Sequence, residues 1–178
     1  MPAKKRALLL RLTKYLVSIS LVGILIVLTD YAIDIRPSSV HASYHFSLDS
    51  SNMPVDQPIW LRQDNLSILL IKRSNQLINQ LRESAAHLQD RNSDSSRQPP
   101  DARNILRSRH KTYFVSYAMG TDFACPLELQ DAQLLKETCG VAQYDFAGRA
   151  LAGENQFQNL AIPDYTFNAD FSFLTITP

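Results

Sequence analysis

Apolar and polar positions fall in distinct patterns along the chain. Tyr15 to Thr29, YLVSISLVGILIVLT, carries no charge and is rich in Leu, Ile and Val. This run is shorter than the ~20 residues that cross ~30 Å of hydrocarbon. However, ALLL lies just ahead of it, and Arg11 and Lys14 can snorkel to the interface. The pattern predicts a single spanning helix over roughly residues 8 to 30. Residues 31 to 58 mix Ser, Pro and Asp with few apolar runs and read as a tether leading into a short strand, Tyr44 to Leu48. WLRQDNLSILLIKR sets two apolar runs on either side of Asp64-Asn65, a turn-forming pair, and predicts a hairpin. Ser74 caps a helix expected to end near Gln89, because Leu77, Ile78, Leu81, Ala85 and Leu88 recur at helical spacing. DRNSDSSRQPPDARN, residues 90 to 104, has no periodicity and two consecutive prolines, the signature of a polar loop. Strands follow at Tyr113 to Tyr117, Tyr144 to Phe146, Tyr165 to Phe167 and Phe171 to Ile176, with loops and short strands between. Many short strands, one helix and Pro/Gly/Asn turns imply an antiparallel, mostly β domain behind an N-terminal anchor.

Charge orients the anchor. Lys4, Lys5, Arg6, Arg11 and Lys14 precede the apolar run, and no acid appears before Asp30. The positive-inside rule places such an N-terminus in the cytoplasm and the rest of the chain across the membrane. Val40-His41-Ala42 satisfies the small-residue rule for signal-peptide cleavage, but it lies thirteen residues beyond Thr29, long for a cleavage region, so an uncleaved anchor is the preferred reading. Beyond the membrane, thirteen basic side chains face seventeen acidic ones. A mildly acidic domain lacks the clustered Lys and Arg that nucleic acid requires.

The same export changes the meaning of Cys125 and Cys139, the only cysteines in the 178 residues. Two thiols in an oxidising compartment pair by default, whereas in cytosol they are more often reduced or metal-bound. The four histidines, His41, His45, His87 and His110, stand apart from the cysteine stretch and read as solvated or capping residues. There is no nucleophile elbow, Cys-x-x-Cys pair or Gly-rich phosphate loop, and so no catalytic residues are assigned.

Several segments, in this order, resemble the Rieske iron-sulfur subunit of bacterial ubiquinol–cytochrome c reductases. A basic N-terminus, one spanning helix and a flexible neck lead to ILLIKRS, NQLINQL, LQDRNSDSSRQP and RSRHKTYFVSY. QYDFAGRALAG, NLAIPDYTF and FSFLTI follow. The order and spacing carry the resemblance, and no single piece does. It implies a Rieske-like antiparallel β-sandwich over residues 44 to 178, a neck over 31 to 43, and a cytoplasmic tail with transmembrane anchor over 1 to 30. It also implies a bacterial inner-membrane location with the main domain periplasmic.

Rieske proteins hold a [2Fe–2S] cluster with two Cys on one iron and two His on the other. Their loops read C-T-H-x-G-C and C-P-C-H-G-S, and the last Cys of the first and the second Cys of the other form a disulfide. With Cys125-Pro126 on the end of the first box, Gly120 takes the ligand Cys position and Asp122 the ligand His position. With Tyr144-Asp145 after the second, Glu137 takes the ligand Cys, Cys139 the disulfide Cys and Gly140 the ligand His. The resemblance thus implies that both disulfide positions persist and all four ligand positions are lost. Ala142 stands where a Ser donates to the cluster, and ENQFQ, residues 154 to 158, where a proline-rich loop shields it. Tyr144 matches.

These correspondences imply no bound metal or cofactor and a protein that works by interaction, as an accessory, structural or assembly component of a respiratory complex of the cytochrome bc1 type. Two alternatives remain open at the level of sequence. One is a working electron-transfer subunit whose [2Fe–2S] cluster has atypical ligands. The other is an anchored enzyme using Asp122 and Glu137 as an acid/base pair.

Overall fold

A computed structural model describes residues 3–34, 43–84, 87–153 and 155–177. The chain divides into two compact units, Met1–His41 and Ala42–Pro178.

The first unit is one helix, α1 (Ala3–Asp34). Within it, Leu8–Asp30 is long and apolar enough to cross a membrane, with a mean hydropathy of 2.0. At 1.5 Å per residue its 23 residues span about 34 Å, enough to cross a hydrocarbon core of about 30 Å. Leu and Ile side chains are exposed on every face of the helix, from Leu8, Leu9 and Leu10 to Ile26 and Leu28. The helix runs past the expected end at residue 30, because Tyr31-Ala32-Ile33 contains nothing that stops a helix. The remainder of the expected neck, with His41 and the cleavage motif, lies outside the described residues.

The second unit is mostly β. Among the described residues, nine strands form three small antiparallel sheets. Strands β1 (Tyr44–Ser47), β9 (Phe173–Thr177) and β8 (Asp164–Phe167) make the first, in that order. Strands β2 (Pro58–Gln63), β3 (Leu66–Lys72) and β4 (Tyr113–Tyr117) make the second. The third consists of β5 (Leu127–Asp131), β6 (Leu134–Glu137) and β7 (Gln143–Asp145).

The hairpin between β2 and β3 turns at Asp64-Asn65, as its sequence predicts, with Asp64 at a φ of 51°. Asp tolerates this left-handed conformation better than most residues. β3 lies between two neighbours, and Ile68, Leu69, Leu70 and Ile71 are all fully buried. Burial on both faces explains why this strand reads as an unbroken apolar run.

The helix after it, α2 (Asn75–Glu83), begins as expected: the Ser74 hydroxyl accepts from the Leu77 amide at 3.1 Å. Leu77, Ile78 and Leu81 face the core. It stops six residues before Gln89, because the backbone of 87–89 pairs with 150–152 through a Leu88–Leu151 bridge. His87 therefore lies beyond the helix, its carbonyl accepting from the Ala152 amide at 2.7 Å. Leu88 has helical spacing but serves a ladder, a case of tertiary pairing overriding periodicity. The closing strand begins at Phe173 rather than Phe171, whose φ of 57° places it in the turn. His45 stands in β1 with Nδ1 3.1 Å from the Thr175 hydroxyl, and His110 packs against Tyr113 and Phe171.

Candidate functional site

Two loops converge at one end of the β5–β6–β7 sheet. The first, 118 to 126, joins β4 to β5; the second, 138 to 142, joins β6 to β7. Ala124 at a φ of 56° and the Gly120 amide bonded to the Cys125 carbonyl at 2.9 Å fold the first loop back on itself. The second is short because the Glu137 amide bonds the Ala142 carbonyl at 3.1 Å.

A disulfide joins Cys125 to Cys139, with their Cα atoms 6.0 Å apart. The cysteines are 14 positions apart, and a closed loop of this size stabilises the fold by about 3 kcal/mol through lost chain entropy. Reduction, or Cys125→Ala, is therefore expected to lower the melting temperature by about 10 °C. A thermal melt followed by circular dichroism, with and without reductant, checks this, and an unchanged midpoint contradicts it.

The two loops are tied more closely still by one side chain. Glu137 is fully buried. Its Oε1 accepts from the amides of Phe123 at 2.8 Å and Cys125 at 2.7 Å, and its Oε2 from the amide of Asp122 at 3.0 Å. The carboxylate of β6 thus fills a cradle of three donors in the other loop. Contact in the reverse direction is smaller: Asp122 Oδ2 accepts from the Val141 amide at 3.2 Å.

Both carboxylates occupy space that neighbouring glycines leave open. A Cβ on Gly120 would lie 2.2 Å from Glu137 Oε2, and a Cβ on Gly140 would lie 2.6 Å from Asp122 Oδ2. No side chain fits at either position while the carboxylates stay where they are. Gly120 thus pairs with Glu137 and Gly140 with Asp122. In each pair a glycine faces a carboxylate.

That donor set does not fit a [2Fe–2S] cluster. Glycine has no side-chain ligand, both sulfurs are bonded to each other, and the carboxylates are hard donors already engaged with amides. An acid/base role for the Asp122–Glu137 pair is equally poorly served. Glu137 is buried and accepts three amide donors, a position that holds a loop in place.

Tyr144 closes the junction from beneath. Its hydroxyl accepts from the Thr121 amide at 2.7 Å and lies 2.9 Å from the Thr121 hydroxyl, which itself donates to the Gln158 carbonyl at 2.6 Å. Because Thr121 gives its proton to Gln158, the Tyr144 proton points to Thr121. Burial raises the phenol's pKa above its ordinary value, against the opposing effect of the Thr121 bonds, so it stays a neutral donor. One chain of hydrogen bonds thereby links β7, the first loop and the 155–158 segment.

Below β7 the turn YDFAGR carries a second buried polar group. Asp145 accepts from the amides of Ala147 and Arg149, each at 2.9 Å, and pairs with the Arg149 guanidinium at 2.7 Å. Gly148 has a φ of +66°, and a Cβ there would meet Phe114 at 2.5 Å, so both conformation and space require glycine. Arg149 also donates to the Leu81 carbonyl, and Arg107 to the carbonyls of Gly148 and Leu160. Arg73, Arg107 and Arg149 are the largest fully buried side chains. Burial pushes the guanidinium of Arg73 down to about 10 and that of Arg107 to about 10, with Asp145 acting against the shift in each. Sequence patterning does not place these arginines inside, because the carbonyls that accept from them, Leu106, Leu160 and Leu81 among them, lie far along the chain.

No family model matches the chain. No curated protein matches it. Among solved structures, a chain of a "Hyperthermophilic respiratory Complex III" is similar over 89% of this chain and 97% of its own length, with 13% sequence identity and a TM-score of 0.47.

Proposed function

We propose that the chain is a membrane-anchored, cluster-free relative of Rieske iron-sulfur subunits that acts by binding rather than by electron transfer. One observation carries the reading. At the four positions where cluster ligands would stand, Gly120 and Gly140 face Glu137 and Asp122, and the carboxylates fill the space between the loops. A cluster could enter only if Glu137 gave up its three amide bonds, and the carboxylate would then stand where a thiolate is needed.

On this reading α1 holds the domain at the bacterial inner membrane, with the basic tail cytoplasmic and residues 44 to 178 periplasmic. The partner is a protein assembly in that membrane, and a respiratory complex of the cytochrome bc1 type is the specific candidate. The support for that candidate is the segment order described above, from the basic tail to FSFLTI. Fold-level likeness alone does not assign function, so the assignment rests on isolation of the partner.

The test begins with the full-length protein purified from membranes in detergent. Iron content, visible absorption and the EPR spectrum after reduction should show no cluster. A Rieske-type EPR signal with stoichiometric iron overturns the reading. Affinity isolation from the same membranes should then recover subunits of a respiratory complex, and their absence removes that partner.

A further inference from the structure

We infer that Cys125, Cys139 and Glu137 form a zinc site that the disulfide keeps closed and that reduction opens. The two sulfurs and a Glu137 carboxylate oxygen lie within 4.8 Å of one another. Two thiolates and one carboxylate are a fitting set for Zn²⁺, which takes Cys sulfur at about 2.3 Å and carboxylate oxygen at about 2.1 Å. The fourth tetrahedral position goes to water.

Three features of the junction favour this ion. Glu137 is held in one orientation by the amides of Asp122, Phe123 and Cys125, so one ligand is already placed before metal arrives. That carboxylate is fully buried, and among the described residues it forms no ion pair with Lys or Arg, so only amide dipoles offset its charge and the place of a counter-cation is open. Cys139 is exposed and Cys125 half-buried, which leaves the bridge open to a reductant. The inference does not depend on the lineage proposed above, since it uses only these three side chains.

The opening step is a two-electron reduction by a dithiol. The S–S bond breaks, both cysteine sulfurs gain a proton, and the reductant leaves as its own disulfide. Zn²⁺ then displaces the two thiol protons to solvent as it binds. The metal ties the two loops together once the covalent tie is gone.

The test uses full-length protein in detergent, either as isolated or reduced with dithiothreitol and desalted under argon, then dialysed against Zn²⁺. The reduced protein should hold about one zinc per chain and the oxidised protein none. Zinc should restore the melting temperature lost on reduction and leave that of the oxidised protein unchanged. Cobalt in place of zinc should give thiolate-to-metal charge-transfer absorption in the reduced protein alone. Glu137→Gln should weaken zinc binding by more than about tenfold. Should that variant not fold, Cys139→Ser, which keeps the carboxylate and cannot form the bridge, should show the same loss. Zinc not bound by the reduced wild type, or bound equally by Cys139→Ser, overturns the assignment. Iron analysis of the untreated protein reports separately on the cluster-free reading, so failure of one leaves the other standing.

Discussion

Glu137→Ala is expected to destabilise the domain by about 3–4 kcal/mol. An unsatisfied buried donor costs about 1–3 kcal/mol, and this change strands three at once. The loop tip moderates the sum, since Phe123 is 68% exposed and water can reach part of the cradle. Glu137→Gln should cost less: its carbonyl can still accept from Phe123 and Cys125, while its NH₂ group opposes the Asp122 amide. Chemical denaturation with both variants checks the order. The glycine opposite provides a sharper check. Gly120→Ala alone should be strongly destabilising, because its methyl group would lie 2.2 Å from Glu137 Oε2, yet the same change in a Glu137→Gly background should cost far less. A double-mutant cycle with no coupling between the two sites would show that the carboxylate does not occupy this space. Formate in millimolar amounts should raise the melting temperature of Glu137→Gly and leave the wild type unaffected, because the vacated cradle still presents three amides.

The second large effect is expected at Asp145. Three guanidiniums are buried around the YDFAGR turn, and the Asp145 carboxylate pairs directly with Arg149 while acting at longer range on Arg73 and Arg107. Removing one partner of a buried pair typically costs about 3–5 kcal/mol, because the remaining charge keeps its desolvation penalty. Asp145→Ala also strands the amides of Ala147 and Arg149, so a loss at the upper end of that range is expected, enough to leave little folded protein at 37 °C. Replacing both partners, as in Asp145→Leu with Arg149→Met, should recover part of the loss, because the buried Arg149 charge is removed while the amides of Ala147 and residue 149 stay unpaired. Midpoints of denaturation for the single and double variants decide this.

How far the sequence specifies these features depends on the kind of interaction. The apolar run of α1, the Asp64-Asn65 turn, the Ser74 cap and the buried β3 follow from periodicity and turn chemistry, which act over a few residues. The end of α2 does not, because Leu88 has the right spacing for the helix while its backbone is claimed by Leu151, more than sixty positions away. β5 and β6 are not individually legible, since apolar alternation in LELQDAQLLKE lasts only over residues 127 to 129 and the buried positions of β6 are Leu135 and the charged Glu137. At the loop junction, the resemblance groups Gly120, Asp122, Glu137 and Gly140 only as an expected set. Nothing in their spacing shows that the carboxylates point into the opposite loop and fill it. The buried arginines are the extreme case, because the carbonyls that satisfy them lie far away in the chain.

That remoteness bears on the order of events as the chain folds. Arg149 reaches Leu81 across 68 positions, Asn159 reaches Asp90 across 69, and Arg107 reaches Leu160 across 53. Contacts of such high contact order form late, after the entropy of closing long loops has been overcome. The β2–β3 hairpin and the Cys125–Cys139 bridge need only neighbouring sequence and can form as soon as their residues emerge. The interior cannot close until residues 145 to 160 arrive, so the last third of the chain sets the pace. Until then the apolar strand Leu66–Lys72 waits without its cover, which makes this interval the one in which the domain is most exposed to aggregation and proteolysis.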